Sequence, residues 1–302
     1  MEIESNYRRK LSDLSLIDDY LFGLFVQEAG SEELLKELVE HLLDIKISKV
    51  SLKQKQHEIS SEPDFHGIRL DAFLSDDSDT LYDIEVQTSN HYNIPKRMRY
   101  YQSLIDREQM PSGEYDYSKL KKTIIVFITN FDLFGKGLYR YTFENVCTED
   151  KTLLLEDESI KVVLNTKGTD PTGVAPELVE LLEYFHNSNK ETADKLTSDF
   201  VKRLDKSLEP IKNSPKFGGA YMSYQEVVYA ERKMGEKIGE ERGILKGLEK
   251  GRQEGEERGI LKGLEKGRQE GEEKGRLEER SKLKARLRKQ GMSEQEIRLL
   301  LD

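Results

Sequence analysis

Two acidic side chains, Asp71 and Glu85, lie within short apolar segments of the chain (LDAF and IEVQ), and thirteen residues separate them. The polar stretch Ser75–Thr80 between them has the composition of a hairpin loop. Both acids are seven residues from Ser78, so a hairpin centred there places them directly opposite each other. Opposed residues on paired strands have Cβ atoms about 4.5–5.5 Å apart. Two carboxylates at that distance repel, and a divalent cation between them would remove the repulsion. The pair therefore predicts a metal site.

Hydrolysis of a phosphodiester is the chemistry that such a pair would support. A hard cation such as Mg²⁺ takes oxygen ligands, commonly one or two carboxylates, and lowers the pKa of a bound water. Gln87 projects from the same strand face as Glu85, because side chains alternate along a strand, so it can place the water or the phosphate. In the next segment, Lys96, Arg97 and Arg99 are suited to contact phosphate oxygens.

Each of these residues also has a simpler interpretation, which the sequence alone leaves open. An acid in a strand is more often a surface residue or a member of an ion pair, and Arg69 could pair with Glu85. The three basic side chains could form an ordinary solvated helix face. Tyr100 and Tyr101 beside them are better explained by core packing than by base stacking.

Hydrophobic periodicity predicts the elements that would position these residues. A capped amphipathic helix is expected at 31–43, and a second helix, with Pro95 in its first turn, at 94–108. The expected strands are one or two within 47–59, the hairpin strands 68–74 and 81–88, a buried strand at 123–129, and two more at 138–146 and 160–165. From residue 176 onward the pattern is helical. This order predicts an α/β fold with a mixed sheet, followed by helices.

The charge of the chain is unevenly distributed. The formal net charge is −10, yet residues 231–290 carry 19 Lys/Arg and 14 Asp/Glu, which leaves −15 on the remaining 242 residues. So acidic a body argues against binding of nucleic acid through bulk charge, and a contact with DNA would have to be local. A single cysteine, Cys147, excludes an intramolecular disulfide and a cysteine zinc site. With no apolar leader and no long apolar run, the protein is expected to be soluble and cytoplasmic.

The C-terminal segment is charged and glycine-periodic. Gly243–Arg258 and Gly259–Lys274 match at 15 of 16 positions, and glycine recurs at every fourth residue from Gly235 to Gly275. Each interior glycine costs a helix about 1 kcal/mol relative to alanine, so the segment could be a fraying, solvated helix or a disordered tail. Alternatively, the small residues permit close helix–helix packing, which predicts a homo-oligomer formed through residues 235–275.

Four stretches of the chain together carry a family resemblance: RLDAF at 69–73, YDIEVQ at 82–87, PKRMRYYQSLID at 95–106 and KKTIIVFITNFDLFGKG at 121–137. They resemble the PD-(D/E)XK nuclease superfamily and, within it, the Rpn family of recombination-promoting nucleases, whose members are also labelled transposases. The resemblance covers roughly residues 19–143. The glycine-periodic tail and the closing GMSEQEI element are similar to that family's C-terminal tails.

The resemblance implies a restriction-endonuclease-like αβββαβ core. It also implies a DNA endonuclease that depends on Mg²⁺, for which Mn²⁺ could substitute, with a role in recombination or mobile elements. By motif, Asp71 and Glu85 would be the metal ligands. Gln87 stands where the superfamily has lysine and cannot supply positive charge, so Lys96 is a candidate to replace that lysine from the helix.

Additional acidic candidates lie before the hairpin. The first helix of this fold often contributes an acid to the site, and Glu40 is preferred for that role because Glu37 has the position of a solvent-facing helix residue. Pro63-Asp64 matches the first letters of the superfamily motif. It follows Ser-Ser-Glu and precedes the hairpin strand by several residues, which is typical of a turn.

The predicted organisation is a nuclease-like domain at 1–170, a helical extension at 171–230, the repeat tail at 231–290 and a short terminal helix at 291–302. The predicted function is a metal-dependent DNA endonuclease. The alternative is a catalytically silent, nuclease-like scaffold or DNA-binding protein that self-assembles through its tail. The glutamine at position 87 favours this alternative, and the opposed carboxylates favour the enzyme.

Overall fold

The chain forms two compact units in a computed structural model, Met1–Glu226 and Val227–Asp302. The structure describes residues 9–29, 32–54, 58–59, 68–90 and 92–301. The first unit combines the predicted nuclease-like segment 1–170 with nearly all of the predicted helical extension 171–230. The second unit contains the repeat tail and the terminal helix.

From residue 32 onward the helices and strands follow the order that the sequence predicts, whereas the helix at Asp19–Leu24 was not predicted. The helices are α1 Asp19–Leu24, α2 Glu32–Leu43, α3 Ile94–Gln109, α4 Pro176–His186, α5 Lys190–Lys195, α6 Asp199–Lys212, α7 Pro215–Lys289 and α8 Glu294–Leu301. The strands are β1 Val50–Gln54, β2 Glu58–Ile59, β3 Ile68–Arg69, β4 Ala72–Asp76, β5 Leu81–Gln87, β6 Thr123–Thr129, β7 Arg140–Phe143 and β8 Ser159–Asn165. A π-helical turn at Phe25–Ala29 follows α1, and short 3₁₀ turns lie at Leu11–Asp13 and Tyr117–Lys119.

A mixed six-stranded sheet has the strand order β1-β4-β5-β6-β8-β7, and β2 pairs with β3 separately. The β1, β4 and β5 strands are antiparallel, β5, β6 and β8 are parallel, and β7 is antiparallel to β8. The parallel step from β5 to β6 is made by α3, as a crossover connection requires. The series α2, β1, β4, β5, α3, β6 is the predicted αβββαβ core, and the fold is restriction-endonuclease-like, as expected.

The hairpin has the predicted register but not the predicted continuous first strand. Ala72 pairs with Ile84 and Phe73 with Asp83, so the turn is centred on Ser78. The strand expected at 68–74 is interrupted at residues 70–71, between β3 and β4. At Asp71, hydrogen bonds between side chain and backbone replace the regular ladder, which is how short polar side chains commonly end a strand.

The sheet is buried on both faces, which explains its nearly continuous apolar strands. Tyr82, Ile84 and Val86 of β5 enter the larger core, which also contains buried residues of α1, α2, α4 and α6. The opposite face is covered by α3 and contains Phe73, Leu81, Phe127 and other apolar side chains. The alternation of β5 therefore turns Asp83, Glu85 and Gln87 toward α3.

The repeat tail lies within one continuous helix, α7, and is not a disordered segment. A Cβ atom added at any of the eleven periodic glycines would meet nothing within 4 Å. The apolar side chains of the repeats, such as Leu245 and Leu261, are 66% exposed. Among the described residues, no helix has the length and apolar character needed to cross a membrane.

Candidate active site

Asp71 is joined to Glu85 and to its neighbour Val86 by two hydrogen bonds across the hairpin. The backbone N–H of Asp71 donates to Oε1 of Glu85 at 2.9 Å, and the backbone N–H of Val86 donates to Oδ2 of Asp71 at 3.2 Å. Each carboxylate is thus held by the backbone of the opposite side, which limits the rotation of both side chains. The predicted juxtaposition of the two acids is present in the structure.

A third acid, Asp83, lies on the same face of β5 and was missed in the sequence. Asp83 is fully buried, and neither of its carboxylate oxygens has a hydrogen-bond partner among the described residues. The period-two pattern of YDIEVQ contains the signal, because it places Asp83 on the strand face of Glu85 and Gln87. A buried polar group without a hydrogen-bond partner is costly for the fold, so Asp83 is a candidate for function.

The electrostatics of the site are those of crowded, desolvated carboxyls. Burial raises the pKa of Glu85, and the negative charges of Asp71 and Asp83 raise it further, while the hydrogen bond from Asp71 and the charge of Arg97 act in the opposite direction. Burial and then the charge of Asp71 raise the pKa of Asp83, which Arg97 lowers in part. Both shifts show that the site favours added positive charge, in the form of protons or a cation.

Arg97 is the cation that α3 brings to these acids. Its Nη2 lies 3.5 Å from Oε2 of Glu85, and its Nη1 donates a 2.5 Å hydrogen bond to Oε1 of Gln87. Nη2 also donates to the hydroxyl of Tyr101 at 3.0 Å. The guanidinium carbon is 5.4 Å from the ring centre of Tyr101 and 5.2 Å from that of Phe127, within cation–π range.

The other predicted phosphate contacts, Lys96 and Arg99, are not brought to the acids. Both are exposed on α3, whereas Arg97, Tyr101 and Ile105 follow the i, i+4, i+8 spacing that faces the sheet. Tyr101 is 8% exposed and belongs to the core, as predicted. Of the three predicted phosphate contacts, the helix therefore presents Arg97 toward the sheet and Lys96 and Arg99 toward solvent.

Glu40, the preferred additional acid, is engaged elsewhere. It is buried in α2, accepts a 3.0 Å hydrogen bond from the backbone N–H of Ile47 and pairs with Lys36 and Lys46 at 3.4 and 3.8 Å. Burial alone raises the pKa of Glu40, but the hydrogen bond from Ile47 and the two ammonium groups outweigh it and lower the pKa. Glu37, the other candidate, pairs with Arg203. The proposed Arg69–Glu85 pair and Pro63-Asp64 lie outside the side chains and residues that the structure describes.

A surface cavity of about 420 Å³ opens beside Asp71. Its walls include Tyr20 and Gly23 of α1, Leu70 before the hairpin and Tyr224 of α7. The Tyr20 and Tyr224 rings are in contact, with centroids 4.9 Å apart. The cavity gives molecules from solvent access to this side of the acidic pair.

Two carboxylates at this place fit a hard divalent cation. No group of three or more His, Cys, Asp or Glu side chains within the described ranges has the arrangement of a metal site. Mg²⁺ does not require such a group, since it commonly keeps several waters and takes one or two carboxylates. The all-oxygen donor set of Asp71 and Glu85, with the unpartnered Asp83 oxygens on the same face, suits Mg²⁺ or Mn²⁺.

A protein-family model matches the N-terminal half of the chain. The model of the PD-(D/E)XK nuclease family transposases matches residues 16–168, which is just over half of the 302-residue chain. The chain belongs to this family. Among curated proteins and among solved structures, no significant match to the chain is found. Membership of the PD-(D/E)XK family confirms the resemblance seen in the four motifs, and the matched range contains the hairpin, α3 and all six strands of the mixed sheet.

Proposed function

We propose that this member of the PD-(D/E)XK family is a metal-dependent DNA endonuclease that hydrolyses phosphodiester bonds, in the cytoplasm and in connection with recombination or mobile elements. The observation that carries the proposal is the hydrogen-bonded Asp71–Glu85 pair, which lies beside Gln87 and Arg97. Opposed acids in a desolvated site are costly for a fold, and a scaffold protein gains nothing from them.

In this proposal Asp71 and Glu85 hold Mg²⁺, or Mn²⁺ in its place. The bound cation would supply Lewis-acid stabilisation of the phosphate and a water of lowered pKa. Gln87, on the same strand face as Glu85, orients that water through its amide. Arg97 offers a guanidinium fork to phosphate oxygens, which suits it better than an ammonium would.

Lys96 and Arg99 have a different place in the proposal. They are exposed on the outer side of α3, so they would contact the DNA backbone around the site and not the scissile phosphate. Contacts of this kind set position without reading sequence. The contact between Arg97 and Glu85 supports Arg97, and not the exposed Lys96, as the residue that replaces the motif lysine.

Cleavage of supercoiled plasmid in Mg²⁺ and in Mn²⁺ tests the proposal. Nicking or linearisation should occur in the wild type and be lost with EDTA and in the Asp71→Ala and Glu85→Ala variants. Glu256→Ala, which removes an exposed acid of α7, is the matched control and should cleave like the wild type. Activity that survives in both site variants would contradict the assignment of these residues.

A second readout does not depend on activity. A cation that binds the folded protein raises its melting temperature by mass action. Mn²⁺ should therefore shift the melting of the wild type and of Glu256→Ala but not that of Asp71→Ala or Glu85→Ala. Binding without cleavage would favour the alternative of a catalytically silent, nuclease-like scaffold, and Gln87→Lys would then be the variant to restore activity.

For the tail we propose self-association through residues 235–275. The apolar residues of the two repeats, Ile244/Leu245/Leu248 and Ile260/Leu261/Leu264, are all more than half exposed. Sixteen residues rotate a helix by about 160° net, at about 100° per residue, so the two clusters face nearly opposite sides about 24 Å apart. A partner on one side covers one cluster, so the geometry favours association on two sides. Truncation at residue 230 should lower the mass seen by light scattering, and an unchanged mass would contradict the proposal.

A further inference from the structure

Both functional side chains of β5 are in contact with one guanidinium. Oε2 of Glu85 lies 3.5 Å from Nη2 of Arg97, and Oε1 of Gln87 accepts from Nη1 at 2.5 Å. The other oxygen of Glu85 accepts from the backbone N–H of Asp71 at 2.9 Å. The carboxylate of Glu85, which would hold the metal ion, thus already has a cationic partner.

Arg97 is held in this place by its surroundings. The guanidinium packs over the rings of Tyr101 and Phe127 and donates to the Tyr101 hydroxyl at 3.0 Å. The side chain is 30% exposed and that of Glu85 is 4% exposed, so solvent screens their attraction only in part. The remaining exposure also means that the long side chain has a route outward without disturbing the core.

A divalent cation at Glu85 and the guanidinium in its present position would compete for the same carboxylate. Both would lie within a few ångströms of the same carboxylate, where like charges repel strongly in a partly desolvated site. The cation and the guanidinium each neutralise the same local negative charge, that of Asp71, Asp83 and Glu85. The cation has twice the charge, and Arg97 has a second anionic partner available when a phosphodiester is present.

We propose that Arg97 is a built-in counter-ion of Glu85 that a divalent cation displaces, and that the displaced guanidinium then takes the phosphate contact which Gln87, lacking charge, cannot make. The inference rests on the proposed function. It assigns Arg97 two positions: on Glu85 and Gln87 without the cation, and on phosphate with it. The exchange keeps the buried acids neutralised throughout and makes cation affinity lower than two opposed carboxylates alone would give.

Titration calorimetry with Mn²⁺ tests the displacement on the full chain. Arg97→Met keeps the apolar stem over Tyr101 and Phe127 but removes the competing charge. It should bind Mn²⁺ at least about tenfold more tightly than the wild type. Arg107→Met removes an exposed arginine from the same helix and is the charge-matched control, with affinity close to that of the wild type. Arg97→Lys keeps the charge and should stay within about threefold of the wild type.

An unchanged or weaker affinity in Arg97→Met overturns the inference, because Arg97 would then be irrelevant to the cation or would hold Glu85 in its binding geometry. If Mn²⁺ binding persists in Asp71→Ala and Glu85→Ala, the proposed function fails as well, so the two failures are distinguishable. Side-chain NMR of ¹⁵N-arginine in the wild type gives a second readout, which does not depend on whether the neutral variant Arg97→Met folds. The Arg97 signal, assigned by its absence in Arg97→Lys, should shift during Mg²⁺ titration, and a signal that stays in place while Mg²⁺ binds also overturns the displacement.

Discussion

Arginine–glutamate pairs occur in both compact units, in opposite electrostatic settings. Arg97 and Glu85 are 3.5 Å apart with side chains 30% and 4% exposed, whereas Arg252 and Glu256 of the tail are 2.7 Å apart and 64% and 60% exposed. The pair with the shorter distance is the weaker one. Water screens the tail pair, and both long side chains lose entropy in forming it, so exposed pairs contribute about 0–1 kcal/mol.

The difference shows that burial decides what a charge does in this chain. The tail has many charged residues with ion pairs at i, i+4 spacing, and their effect is to solvate a helix. The hairpin has three acids and Arg97, and the pKa of Asp83 and of Glu85 is raised by burial.

The largest effect on stability is expected when the arginine of the buried pair is removed, with removal of the tail arginine as the comparison. Arg97→Met should lower the free energy of unfolding by about 2–4 kcal/mol, because it leaves Glu85 buried beside two other acids without its counter-charge. Arg252→Met should change it by less than about 0.5 kcal/mol. Urea unfolding followed by tyrosine fluorescence measures both, and equal effects would contradict the role of burial.

A partly buried carboxyl at the N-terminus of α1, Asp18, gives the next largest effect. Burial, and then the charge of Asp19, raise the pKa of Asp18 from 3.8 to about 6. A pKa raised in the folded state contributes stability that is complete below about pH 4 and is lost as the pH rises through about 6. In α1 the side chain of Asp18 is the N-cap and accepts a hydrogen bond from the backbone N–H of Tyr20. Asp18→Asn keeps an N-cap side chain that can accept this bond, but the amide does not titrate.

The measurement for Asp18 is the free energy of unfolding of wild type and Asp18→Asn between pH 4 and pH 8. The two should be similar at pH 4, and the variant should be more stable by about 2–3 kcal/mol at pH 8. Glu265→Gln, at an exposed site of the tail, is the control and should run parallel to the wild type. Parallel curves for Asp18→Asn as well would contradict the shift.

Glycine substitutions in α7 should have a smaller and opposite effect. Gly247→Ala and Gly263→Ala occupy equivalent positions of the two repeats, and an added Cβ meets nothing within 4 Å. Each should stabilise the helix by about 1 kcal/mol, seen as higher helix content on heating by far-UV circular dichroism. Loss of helix content or of oligomer mass would instead show that the glycines pack against a second copy of the chain.

The smallest effect concerns salt. Glu256→Gln should alter the helix content by an amount equivalent to a few tenths of a kcal/mol at low ionic strength, and the difference from wild type should vanish near 1 M NaCl. Circular dichroism at two salt concentrations measures it. A difference that persists at high salt would show that the exposed pair is screened as little as a buried pair, which would contradict the role of burial.

Most of the fold was predictable because it follows from local patterns. The strand predicted at 123–129 has those bounds, and the helix predicted at 94–108 is α3, which ends one residue later. Equal distance from Ser78 gave the register of the hairpin, which the pairing of Ala72 with Ile84 confirms. The interruption at Asp71 was not predicted, because it depends on hydrogen bonds that join Asp71 to Glu85 and Val86 on β5, the other strand of the hairpin.

The candidate site was predictable in its acids and less so in its cation. Alternation along β5 and the hairpin register are properties of the sequence, and they place Asp71 opposite Glu85. The same alternation could have identified Asp83. Which basic residue of α3 meets these acids depends on the rotation of the helix against the sheet, and the rings of Phe127 and Tyr101 hold Arg97 there.

Periodicity and turn composition act between near neighbours along the chain, so they were enough to predict most strands of the sheet, α3, the hairpin register and the opposed carboxylates. The assembled fold brings Arg97 and not Lys96 to Glu85, engages Glu40 with the backbone of Ile47, and excludes Asp83 from water. Those outcomes depend on packing between segments distant in sequence, and packing sets the burial that gives each charge its strength.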